Sequence, residues 1–133
     1  MKPGRKVDAL VAELMGWTPV VKIKNYDGFG KGPRLWYGFE KPDGGEMHYP
    51  PPYSEDMAAA WPVHKMACGW IFSKRRTYLK ELEGAILDRI ASEVNLGYWV
   101  SVAWPDLLMF LEPVDICLAV LRTEGVSDSS LCL

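Results

Sequence analysis

Three consecutive prolines, Pro50-Pro51-Pro52, constrain this chain more than any other stretch. None has a backbone N–H to donate, so sheet pairing must stop there and the chain must run extended into the next element. That element is Tyr53 to Gly69, a segment with helical patterning. Ser54 is the expected N-cap, since its hydroxyl can accept from the free amides of the first turn. Glu55 and Asp56 add negative charge where the helix dipole is positive. Met57, Trp61 and Cys68 recur at helical steps, which predicts one buried stripe anchored by Trp61. The run Ala58-Ala59-Ala60 permits close approach, so the sheet is expected to pack on this helix. Pro62 comes too late for the first turn and is expected to remove one hydrogen bond and kink the helix. Gly69 is the expected stop.

The residues before the prolines supply one helix and the strands. Gly4 to Met15 reads as a helix with Val7, Leu10, Val11 and Leu14 on its apolar stripe. Arg5, Lys6, Asp8 and Glu13 fall largely outside that stripe. Val20 to Lys24 alternates as a strand does, and Arg34 to Glu40 is a second strand. Lys41-Pro42-Asp43-Gly44-Gly45 is a turn signal, after which Glu46 to Tyr49 forms a short returning strand. The glycine-rich stretch from Asn25 to Pro33 is read as a loop. Its Gly28-Phe29-Gly30-Lys31-Gly32 lacks the spacing of a phosphate-cradling loop.

After the central helix, Trp70 to Ser73 reads as a short strand or strand-like link. The basic cluster Lys74-Arg75-Arg76 then precedes a long helix over 78–94. Leu79, Leu82, Ile86, Ile90 and Val94 repeat along it at three- and four-residue steps. Tyr98 to Trp104 and Leu107 to Leu111 are read as a hairpin turned by Pro105-Asp106. Pro113 suits the first turn of a last helix over 113–123, with Ile116, Cys117, Val120 and Leu121 facing inward. These elements predict a single α/β (α+β) domain over residues 1–126, with a small antiparallel or mixed sheet. A flexible tail is expected over 127–133.

Composition excludes several classes. The 133 residues carry a net charge of -2, which argues against general nucleic-acid binding because that rests on phosphate neutralisation. Three cysteines, far apart and without a Cys-x-x-Cys pair, speak against a disulfide framework or a zinc knuckle. Neither a secretory leader nor an apolar run of membrane-spanning length is seen, so a cytoplasmic protein is expected. Six Trp, six Tyr and four Phe are many for this length and fit either a core or a flat stacking wall. Aromatics that one small subunit cannot hide favour a homo-oligomer.

The run Lys2 to Trp17, with its Asp-Ala-Leu-Val-Ala-Glu and Met-Gly-Trp pattern, resembles a family of small phage and prophage proteins, the phage ABA sandwich domain. Tyr53 to Trp61, with Ala-Ala-Trp, and Pro113 to Leu121 carry the same resemblance, which covers about a third of the chain. The resemblance implies a sheet with helices on both faces, a phage origin and action in the bacterial cytoplasm. It implies no activity, catalytic residue or cofactor.

No catalytic signature is present. His48 and His64 sit in different elements, and a metal site would require His64, Cys68 and Cys117 to converge. Glu40, Asp43, Glu46 and Asp56 stand in no acid–base motif, and neither cofactor nor metal is expected. Arg34 beside Trp36 and Tyr37, and Lys74, Arg75 and Arg76 beside Tyr78, combine guanidinium forks with aromatic faces. With Tyr53 they are the candidate ligand residues, because such pairs hold a phosphate while stacking its base. The ordinary alternative is that they are water-facing residues of an edge strand and a helix start. The reading is therefore a non-enzymatic, phage-encoded binder that sequesters a nucleotide immune signal. The alternatives are an inhibitor that docks on a host defence protein and, more weakly, a small nucleotide hydrolase.

Overall fold

The helix at the centre of the molecule is the last one. A computed structural model of the chain describes residues 4–25, 33–94 and 107–126. Its elements are α1 (Arg5–Leu14), β1 (Thr18–Asn25), β2 (Pro33–Glu40), β3 (Glu46–Met47), α2 (Met57–Cys68), α3 (Phe72–Val94) and, as α4, Pro113–Thr123. Every α4 residue from Val114 to Leu121 is buried, and α1, α2 and α3 all pack against it. A helix apolar on nearly all sides is stable only when enclosed in this way. Val11 of α1, Val63 of α2, and Tyr78, Leu82 and Ile86 of α3 complete the core. The sequence pattern centres the fold on α2, and the structure moves that role to α4.

The domain is α+β, with four helices and a three-stranded antiparallel sheet among the described residues, in the order β1-β2-β3. Val21 lies opposite Tyr37, Ile23 opposite Leu35, and Phe39 opposite both Pro19 and Met47. The sheet meets the helical layer through α1 and β1, not through α2 as expected. Val20, Trp36 and Gly38, on one face, are partly or fully covered. On the other face Val21, Ile23, Leu35 and Tyr37 are all exposed, Ile23 to 74 %.

Two helix ends share one device. Gly16 after α1 and Gly125 after α4 have φ of +91° and +87°, a region glycine enters without a Cβ clash. Trp17 N then donates to Ala12 O (2.9 Å) and Val126 N to Leu121 O (3.0 Å), the Schellman pattern that satisfies orphan carbonyls. Trp17 and Val126 both pack on the core, which completes the motif.

Several local expectations are corrected. The N-cap of α2 is Asp56, whose Oδ1 accepts from Ala58 N at 3.0 Å. Ser54 is instead part of a buried knot. Its amide donates to Asp8 Oδ1 (2.7 Å), and its hydroxyl accepts from Gly4 N (3.0 Å). Asp8 is therefore buried, because a carboxylate supplied with a donor loses less on leaving water. Helix α3 begins at Phe72, so residues 70–73 form no strand and Lys74 to Arg76 lie inside a helix. Leu107 to Leu111 is a helical turn with Phe110 N donating to Leu107 O, not a strand. Trp61 is 44 % exposed and no core anchor. Pro62 lies inside helix α2, in keeping with its reading as an interior proline. The glycine-rich loop, the strand over 98–104 and the tail over 127–133 fall outside the described residues.

Candidate functional site

An open cleft of about 500 Å³ lies where α1 faces the sheet. Val20, Val21, Tyr37, Gly38 and Phe39 come to it from β1 and β2, His48 and Tyr49 from the segment just after β3. Arg5 and Lys6 come from the first turn of α1, and none of the described lining residues is acidic. Helical spacing explains the placement. Val7 and Val11 of α1 are buried in the core, which turns Arg5, Lys6 and Ala9 to another side of the helix. The Arg5 guanidinium stacks over the Tyr49 ring at 4.1 Å from its centroid. Such a contact holds the cation over a flat surface while leaving its N–H edge free to chelate an anion. His48 lies edge-on to Tyr49 (4.4 Å) and within 6.0 Å of Trp36. Trp36 itself lies across Gly38, where any Cβ would collide with the indole. The cleft can therefore take a mainly apolar or aromatic body that carries a negative group.

The residues singled out from sequence do not gather in one place. Tyr37 lines the cleft, Trp36 lies over its Gly38, and Arg34 is exposed further along β2. Tyr53 is buried, and burial raises its hydroxyl pKa. Lys74, Arg75, Arg76 and Tyr78 belong to α3, which packs on α4 and α2. Lys74 is ion-paired with Glu124 and sits over Trp70, so its charge is already answered. Arg75 Nη1 donates to the Cys68 carbonyl (3.4 Å). Arg76 is exposed. Tyr78 is fully buried and shows no face to a ligand. Sequence reasoning misses Arg5, Lys6, His48 and Tyr49, because the pairing of Arg5 with Tyr49 joins segments that no local pattern links.

A second cluster sits at the α2–α3 corner. His64 Nδ1 is 2.7 Å from the Tyr78 hydroxyl, and His64 Nε2 is 3.4 Å from Cys68 Sγ. The convergence of His64, Cys68 and Cys117 as a metal site does not appear. Among the described residues no group of three or more His, Cys, Asp or Glu side chains could hold a metal.

Burial lowers the His64 pKa below its ordinary 6.5. Between the lowered value and 6.5 the unfolded chain binds more protons than the folded one, so stability in that window rises with pH. The contribution is fully present above 6.5 and is lost as pH falls through the lowered folded value. The melting temperature is thus expected to fall between about pH 7 and pH 5. His64→Gln should lessen that acid-side fall, and an unchanged slope in the variant would assign it to other groups.

Among the described residues no helix is long and apolar enough to cross a membrane. No family model, curated protein or solved structure matches the chain.

Proposed function

We propose that the chain is a non-enzymatic binding protein that holds a small nucleotide-like ligand in the cleft between α1 and the sheet. The observation that carries this is Arg5 stacked on Tyr49 at the edge of an apolar-lined cleft with no acidic residue among its described lining. Its volume is in the range of small-ligand sites, which run to roughly 300–1,000 Å³. An arginine above a ring answers a phosphate, and the tyrosines and apolar strand residues answer a base. The resemblance of the sequence to small phage proteins supplies the biological setting. In that setting the protein is phage-encoded, works in the host cytoplasm and withdraws a nucleotide signal, a cyclic oligonucleotide or an ADP-ribose derivative, from a defence system.

The test is a thermal-shift panel of cyclic dinucleotides, cyclic trinucleotides, ADP-ribose derivatives and ordinary nucleotides. At one hundred times its dissociation constant a true ligand adds about 2.7 kcal/mol to the folded state. For a domain of this size that is a rise of roughly 5–15 °C. Arg5 is exposed, so Arg5→Glu should abolish the shift and leave the unliganded melting point nearly unchanged. If no compound moves the melting point, the sequestration reading falls, and if nucleotides are consumed, the protein is a hydrolase.

A second reading rests on a surface that shares Val21 and Tyr37 with the cleft. Val21, Ile23, Leu35 and Tyr37 form an exposed apolar sheet face, the kind of surface that marks a protein contact. A host defence protein, or a second copy of this chain, is the partner that such a face suits. Light scattering separates them: about twice the 15.0 kDa chain mass assigns the face to a homodimer. A monomer that is retained by a host enzyme, and loses it on Ile23→Lys, assigns it to inhibition.

A further inference from the structure

We propose that Cys68 is a base-activated nucleophile, with His64 as its general base and Tyr78 as the residue that positions the imidazole, and that it captures α,β-unsaturated carbonyl compounds as covalent adducts. His64 and Cys68 are four residues apart on α2, so helix geometry places both side chains on one face. Sγ lies 3.4 Å from Nε2, and the Tyr78 hydroxyl lies 2.7 Å from Nδ1. A nucleophile within reach of a base, with that base held by a third group, is the arrangement that activates thiols and hydroxyls. Cys68 and His64 are both partly exposed, so the pair borders solvent, whereas Cys117 is sealed in the core. Trp61 stands 5.0 Å from the imidazole, tilted by 32° and substantially exposed, a wall on which a flat conjugated carbonyl can rest.

The groups facing the pair come from both packed helices. From α3, Tyr78 holds the imidazole, Arg75 lies beside the Cys68 carbonyl, and Lys74 is occupied by Glu124 and Trp70. From α4, Cys117 is near enough to Tyr78 to act on its ionisation. Burial raises the Cys68 pKa, offset in part by Arg75, and lowers that of His64. The resting pair is therefore a neutral thiol beside a neutral imidazole, and the proton must move when the sulfur reacts.

The step balances without an added reagent. With Nδ1–H donated to the Tyr78 oxygen, Nε2 takes the thiol proton as Sγ bonds to the β-carbon of the acceptor. The C=C π pair shifts onto the carbonyl oxygen as an enolate. The enolate then takes the proton back from the imidazolium at its α-carbon, leaving a thioether and a neutral imidazole. Burial keeps the Tyr78 hydroxyl protonated, so it steadies the imidazolium as a dipole and takes no proton itself.

The probe is N-ethylmaleimide on the intact protein, followed by mass spectrometry of the tryptic peptide 66–74, which holds Cys68 as its one cysteine. Wild-type Cys68 should be alkylated at a rate that climbs through a midpoint below 6.5 and then levels, because His64 must be neutral to accept the proton. His64→Gln should slow the reaction at pH 7 by at least about tenfold, since general bases contribute roughly 10²–10⁴. It should leave a single limb governed by the thiol itself, above 9.0. Tyr78→Phe, which leaves His64 in place, should slow the reaction several-fold and keep the limb below 6.5. Identical profiles in wild type and His64→Gln overturn the proposal, as does a Cys68 that reacts only after denaturation. Should His64→Gln fail to fold, the wild-type profile decides alone: a rise above pH 9 with no limb below 6.5 overturns it.

Discussion

Arg89→Ala is expected to destabilise the fold by about 3–5 kcal/mol, the usual consequence of stripping the partner from a buried charge. Asp115, at the third position of α4, is 2 % exposed. Its carboxylate accepts from Arg89 Nε at 3.2 and 3.3 Å and from Arg89 Nη2 at 3.0 Å. The same carboxylate accepts from Glu112 N (2.9 Å), closing a reciprocal cap at the start of α4. Arg89 also reaches the Phe110 carbonyl and Glu112 Oε1, so one side chain of α3 ties together the turn before α4 and its first residues. Removing it leaves a buried carboxylate without its cation at the start of the enclosed helix α4. Urea melts of parent and variant measure the loss. Adding Asp115→Asn to Arg89→Ala should recover part of it, since the amide oxygen still accepts from Glu112 N but carries no charge. A loss below about 1 kcal/mol would place Arg89 among surface ion pairs of little worth.

Much of the element order is legible because the chain punctuates itself. Gly16, Gly125 and the turn from Lys41 to Gly45 stand where a helix or strand must stop, and Pro113 stands where a helix starts. Periodicity places α1, α2 and α4 within a few residues. It fails at residues 70–73, where a short apolar run is compatible with either helix or strand. It also undervalues α4. Val114, Ile116, Cys117, Leu118, Ala119, Val120 and Leu121 make that helix apolar on nearly every side, a signal of enclosure present in the sequence itself.

Buried charge is the harder case. Asp8 reads as a surface residue of an amphipathic helix, and Ser54, far along the chain, supplies an amide that helps it go inside. The candidate cleft shows the same limit. An arginine near an aromatic ring is the right kind of pair to seek, yet Arg5 and Tyr49 are brought together by the packing of α1 on the sheet. Arg75 and Tyr78 are neighbours in sequence, but the helix buries one and ties the other to the Cys68 carbonyl. The four-residue step from His64 to Cys68 is legible as spacing. Its third member, Tyr78, arrives from the next helix.

Ile116→Ala is expected to cost about 2–5 kcal/mol, and Trp61→Ala no more than about 1 kcal/mol, against what side-chain size alone would suggest. Ile116 is fully enclosed on α4, against which α1, α2 and α3 all pack, so the deleted carbons leave a cavity that several elements would have to shift to fill. Trp61 is the larger side chain but is 44 % exposed, and its indole tilts against the partly exposed His64. Truncating it removes surface that is already half in water and opens no closed space, so the cavity term is small. The comparison is made in urea, where similar m-values in both variants would show that the same surface is exposed on unfolding. Two results would return the organising role to α2: a Trp61→Ala loss larger than that of Ile116→Ala, or an Ile116→Ala loss below about 1 kcal/mol. The pair also bears on Cys68, because a Trp61→Ala protein that keeps its stability but alkylates more slowly at Cys68 identifies the indole as a wall for the incoming electrophile.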